Sequence, residues 1–176
     1  MGVRKAMGNM ASSLSTWGLR HLAHRPAANM PGKIALKIDP RIIAESMDKI
    51  TEGSIVVVGT NGKTTITNMI ADALERQGKS IACNRTGANL AYGVATTLLQ
   101  TKGTVEWGVF ESDELWLAHT LPQVQADYVL LLNLFRDQLD RCGEIDRVQD
   151  AIATALEQSP NCLLYTSPSP RDVEES

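Results

Sequence analysis

The chain has 176 residues, 43% hydrophobic and 21% charged, with a formal net charge of −3. That is enough for about one domain with a buried core, and no apolar run nears the ~18 residues that cross a membrane as a helix. Three cysteines (Cys83, Cys142 and Cys162) with no CxxC pair argue against a disulfide framework or a complete zinc site and suit a reducing compartment.

Residues 1–38 form a basic segment. Arg4, Lys5, Arg20, Arg25, Lys33 and Lys37 all precede the first acid, Asp39. The remainder carries a balance of −9, which makes it a poor general nucleic-acid binder, so any phosphate it holds must be held by local geometry. The basic segment reads as a solvated lead-in. A peripheral membrane contact and a transit peptide are the alternatives, and Gly2, Gly8 and Gly18 weaken the amphipathic helix both would need. Pro26, Pro31 and Gly32 punctuate a loop over residues 27–32.

Residues 39–160 alternate strands and helices. A short helix is predicted over 41–50, then a strand over 54–58, whose β-branched run suits a central parallel strand covered on both faces. Residues 64–77 give the clearest helix, with Ile66, Met69, Ile70, Ala73 and Leu74 as its buried stripe and Gly78 as its left-handed end. A strand follows over 80–83, a helix over 90–99, a strand over 105–110, a short helix over 115–120 and a strand over 128–132. A last helix, ending near Gln158, has Ile145, Val148, Ile152, Ala155 and Leu156 as its apolar stripe. Such alternation implies crossover units and an α/β fold with a mostly parallel sheet. Residues 161–176 break the rhythm. Leu163 to Thr166 can begin another strand, but Ser167-Pro168-Ser169-Pro170 stops it, so this tail is either disordered or translated adapter read-through appended where a longer gene was cut.

The chemistry begins at Gly59-Thr60-Asn61-Gly62-Lys63-Thr64-Thr65, between the apolar strand and the best helix, where a phosphate-binding loop belongs. Glycines let main-chain N–H groups curve around an anion, and the helix aims its positive end at the same point. Lys63 is placed for the β- and γ-phosphates and Thr64 for Mg²⁺. Val57 stands where the commonest form of the loop has its first glycine. Glu111-Ser112-Asp113-Glu114 follows the 105–110 strand, at the sheet edge where ligands collect. Glu111 either holds magnesium there or caps the next helix. Residues 133–141, Asn-Leu-Phe-Arg-Asp-Gln-Leu-Asp-Arg, follow the next strand. Arg136 and Arg141 can orient phosphates, and Asp137 and Gln138 a metal-bound water; the plainer alternative is a salt-bridged surface loop.

Four stretches together resemble the Mur ligase family, the ATP-dependent amide-forming enzymes of peptidoglycan synthesis. They are residues 31–37, 59–65, 87–89 (Gly-Ala-Asn) and 133–146, and the likeness runs from about residue 30 to 158. It is nearest to the MurT branch, the ligase-like subunit of lipid II isoglutaminyl synthase. The resemblance implies an incomplete Mur-ligase-type ATP-binding domain in a longer, cytoplasmic protein. It implies that ATP phosphorylates the α-carboxyl of D-glutamate in the lipid II stem peptide. Ammonia from a glutamine amidotransferase partner of the GatD type would then give D-isoglutamine. On that template Lys63 and Glu111 are catalytic. Gly59 to Thr65, Asn89, Asn133 and Arg136 would bind nucleotide, and Thr64, Glu111 and Gln138 would hold Mg²⁺. Gln138 departs from the histidine many relatives use for a second magnesium, and Cys142 from an expected tyrosine. Any zinc site would lie in a C-terminal part beyond this chain, which alone is expected to be inactive. An amino-acid-adding or folylpolyglutamate-synthase-like ligase, and a non-catalytic nucleotide-binding protein, are the other readings.

Overall fold

A computed structural model describes residues 30–134 and 142–166, with the side chains of residues 142–145 excepted. Helices α1 (Met30–Ile38) and α2 (Ile42–Ser46) come first, and a 3₁₀ turn (Met47–Lys49) leads into β1 (Ile50–Val58). Then follow α3 (Lys63–Arg76), β2 (Ile81–Cys83), α4 (Ala91–Gln100), β3 (Val105–Glu111), α5 (Leu117–Val124), β4 (Tyr128–Leu131), α6 (Cys142–Glu157) and β5 (Leu163–Thr166). The five strands form one parallel sheet in the order β2-β3-β1-β4-β5. No helix among the described residues is long and apolar enough to cross a membrane.

Because side chains alternate across a strand, the two faces of β1 have different cores. Val56, Val58 and, from β3, Phe110 enter a fully buried cluster with Ala35, Ile42, Ile43, Val94, Leu98, Leu117, Leu121, Ile152 and Ala155, drawn from α1, α2, α4, α5 and α6. Val57 and Val109 are equally buried on the opposite face, where α3 packs on β1, β2 and β3 through Thr67 and Ala71. The expected stripe of α3 is therefore turned by about a quarter of a helix circumference. Ile66, Ile70 and Leu74 are half-buried, Met69 is 61% exposed and Ala73 is exposed. A helix that leaves its strand through a four-residue loop has its phase set by that loop, and the small Thr67 and Ala71 fit close to the valine surface.

Three further expectations change. Residues 30–32 open α1 instead of a loop. Pro31 is buried in the first turn, where a missing N–H costs nothing, and Gly32 donates its N–H to Thr96 Oγ1 of α4 at 2.9 Å. A Cβ on Gly32 would fall 2.7 Å from that same oxygen, so glycine permits this helix crossing. Helix α5 starts later than expected and continues past Pro122 to Val124. Leu163 to Thr166 does form a strand, with Leu163 in register with Tyr128 and Thr166 with Leu131. The 1–29 segment and the Ser-Pro tail from residue 167 lie outside the described residues.

Candidate functional site

All five strands run the same way, so the loops after β1, β3 and β4 emerge at one sheet edge. Gly59 has φ 145° and Gly62 φ 87°, conformations that favour glycine, and Gly62 caps α3 in the left-handed region without any side-chain bond to the helix end. Ile66 is the first residue to bond back, its N–H reaching Gly62 O at 2.9 Å. The N–H groups of Lys63, Thr64 and Thr65 thus lie in the unclosed first turn, the arrangement that favours an anion.

Asn133 braces this loop from beyond β4. Its main-chain O accepts from Thr60 N–H at 2.9 Å, its Oδ1 accepts from Asn61 N–H at 3.0 Å, and its Nδ2 donates to Asn61 O at 3.1 Å. A Cβ on Gly59 would come within 3.0 Å of Asn133 main-chain atoms. The N–H groups of Thr60 and Asn61 are therefore committed to shaping the loop, which leaves the later amides to face a ligand.

Lys63 lies folded over its own loop. Nζ donates to Gly59 O and, at 3.4 Å, to Thr60 O, and it stands 3.5 Å from Glu114 Oε2. Glu111, the last residue of β3, is 1% exposed. The Thr64 hydroxyl lies on the same side as the Glu111 carboxylate, whose Oε2 is buried without a partner. Burial pushes the Glu111 carboxyl above its ordinary range, against the opposing pull of the Thr64 hydroxyl and the Lys63 charge. No side chain caps the following helix; Asp113 instead shapes the turn before it, its Oδ1 accepting from Leu115 N–H at 3.1 Å. Gly87, at φ 74°, brings its main chain beside both groups, since a Cβ there would lie 3.6 Å from Thr64 Oγ1 and 3.8 Å from Glu111 Oε1. Asn89 is in the same loop, and its O accepts from Asp113 N–H at 2.8 Å.

The structure thus brings together residues 59–65, Asn89, Glu111 and Asn133, while Arg136 and Gln138 lie outside the described residues. Two roles escape the sequence reading. Glu114 pairs with Lys63, and Asn84, immediately after β2, hydrogen-bonds to the main chain of Glu111. The only signal for either is position, a polar residue at the carboxyl end of a strand. Among the described residues no cluster of three or more His, Cys, Asp or Glu could hold a metal. Magnesium suits the place nevertheless. It takes one or two carboxylates and completes its shell with phosphate oxygens and water, and the orphaned Oε2 beside a threonine hydroxyl offers the donors required.

Residues 57–167, well over half the chain, match the Mur ligase middle domain. The chain is 33% identical over 186 residues to the lipid II isoglutaminyl synthase (glutamine-hydrolyzing) subunit MurT of Streptococcus pneumoniae, covering 99% of this chain and 41% of that protein. It is 35% identical over 146 residues to the subunit of the same name from Staphylococcus aureus strain COL, covering 81% and 32%. It spans no more than about two fifths of these relatives' length. In fold it resembles the MurF ligase of Thermotoga maritima crystallised with ADP, with a TM-score of 0.64 at 20% identity over 82% of this chain and 34% of that one.

Proposed function

Since the chain belongs to the Mur ligase family, we propose that it is the nucleotide-binding part of an ATP-dependent carbon–nitrogen ligase of the MurT kind, acting in peptidoglycan synthesis. The observation that carries this reading is the convergence of Lys63, Thr64 and Glu111 at one sheet edge, over an unclosed helix end. The two relatives named as MurT supply the finer assignment. The reaction is the amidation of the α-carboxyl of D-glutamate in the lipid II stem peptide.

The loop amides of Lys63 to Thr65 hold the phosphate tail, and Lys63 leaves Gly59, Thr60 and Glu114 to meet the β- and γ-phosphates. Thr64 and Glu111 hold magnesium, which supplies charge neutralisation on the phosphate oxygens. An oxygen of the substrate carboxylate forms a bond to the γ-phosphorus as the bond from that phosphorus to the β–γ bridging oxygen breaks. This gives an acyl phosphate and ADP. Ammonia released from glutamine by an amidotransferase partner then attacks the acyl carbon, loses a proton, and expels phosphate. As negative charge spreads over the transferring phosphoryl group, Lys63 offsets it without reorganisation of solvent.

The test uses the complete protein, co-expressed with a glutamine amidotransferase, and follows ATP turnover and the mass of the stem peptide. ATP consumption that needs lipid II, and amidation that needs glutamine and the partner, are the expected results. Turnover without lipid II, or indifference to the partner, refutes the assignment.

A further inference from the structure

Asn84 is 3% exposed, and both hydrogens of its amide are used. Nδ2 donates to Ala88 O at 2.9 Å and to Glu111 O at 3.0 Å, and Oδ1 accepts from Glu111 N–H at 2.9 Å. One side chain therefore meets both main-chain polar groups of Glu111, as a residue of a neighbouring strand would. The place explains the device. Strand β2 ends with Cys83 opposite Val109, and the chain then turns out of the sheet so that Gly87 passes beside Thr64 and Glu111. Glu111 would be left at a buried strand end with its N–H and C=O unpaired, each desolvated with no bond to offset the loss. Asn84 continues the ladder with its amide while its main chain departs. Its third bond fixes Ala88, and the next residue, Asn89, accepts from Asp113 N–H.

We propose that Asn84 is a positioning residue for the magnesium-binding carboxylate. It clamps the main chain of Glu111 to the 85–89 loop, so that the unpartnered Oε2 keeps one location beside Thr64. This deepens the ligase reading and rests on it, because that reading supplies the magnesium.

The probe is Mn²⁺ binding to the complete protein in the presence of a non-hydrolysable ATP analogue, followed by electron paramagnetic resonance, with thermal unfolding alongside. Asn84→Ala is expected to weaken Mn²⁺ binding about tenfold or more, the usual range for a residue that orients a ligand. Analogue binding without metal should stay within about twofold. Asn84→Asp keeps the volume and the acceptor for Glu111 N–H but loses both donors, so it should show the same loss even if the alanine variant fails to fold. In a Glu111→Gln background, Asn84→Asp should no longer change metal binding. The same loss in that background, or a lower melting temperature with unchanged Mn²⁺ affinity, overturns the proposal and leaves Asn84 a structural residue. A wild-type protein that binds no Mn²⁺ with the analogue refutes the ligase reading itself.

Discussion

Gly93, inside α4, lies where the helix meets the 85–89 loop, and replacing it with alanine sets two effects of opposite sign against each other. Helix propensity alone favours alanine over glycine by about 1 kcal/mol. The structure opposes this, because a Cβ at Gly93 would fall 2.5 Å from Ala88 Cβ and 2.7 Å from Ala88 C, with Ala88 O nearer still. Most of those atoms are main chain, and Asn84 and Asp113 hold the loop that carries them, so no rotamer change relieves the clash. Overpacking of this kind costs about 1–3 kcal/mol, and rigid backbone places it at the upper end. The net is a loss of about 2 kcal/mol, or roughly 4–8 °C in melting temperature for a domain of this size. Thermal unfolding of Gly93→Ala against the wild type measures it, and analogue binding with Mn²⁺ should weaken in parallel as the loop moves. A higher melting temperature would mean that the loop yields freely, and it would refute the view that Asn84 and its neighbours hold the loop firmly.

Lys63→Ala in the complete protein should lower ATP turnover by about 100- to 1,000-fold with melting temperature little changed; retained turnover excludes Lys63 as the phosphate clamp. Metal–nucleotide binding should weaken on acidification earlier than for an ordinary glutamate. The raised Glu111 pKa favours the protonated form, so in the empty protein its contribution to stability is present below the ordinary carboxyl range and is lost as pH rises through the raised value. Calorimetry on the alkaline side of the ordinary carboxyl range should show proton release on loading, and a flat profile contradicts it. The Cys83 thiol, pushed up to about 12 by burial, should resist thiol reagents at pH 8 until the protein is unfolded; prompt labelling of native protein at Cys83 refutes that placement.

How much of this was legible in the sequence depended on distance along the chain. The phosphate loop is seven consecutive residues between a strand and a helix, so its chemistry and its bend are written in one place. Glu111 was visible as a carboxylate at a strand end, but choosing among Glu111, Asp113 and Glu114 required strand parity. Phe110 enters the larger core, so Glu111 falls on the other side, beside Thr64. The face of α3 could not be read from apolar spacing, because Thr67 and Ala71 are buried for their size and proximity to the sheet while Met69 is not. Asn84 carries no local signal, because its partner lies 27 residues away and the strand before it has only three residues. Gly32 reads as punctuation in the sequence because the helix residue it meets, Thr96, comes 64 residues later.

The resting posture of Lys63 bears on which molecules the loop admits. With Gly59 O, Thr60 O and Glu114 already around it, the ammonium is fully served before any visitor arrives. A newcomer contributes only the difference between its own anionic oxygens and those it displaces. On the ligase reading, an adenosine monophosphate, too short to reach the lysine, would gain little, whereas a triphosphate tail would replace the internal carbonyls. On that reading, discrimination by tail length would rest on this one side chain, which must be drawn away from its own loop.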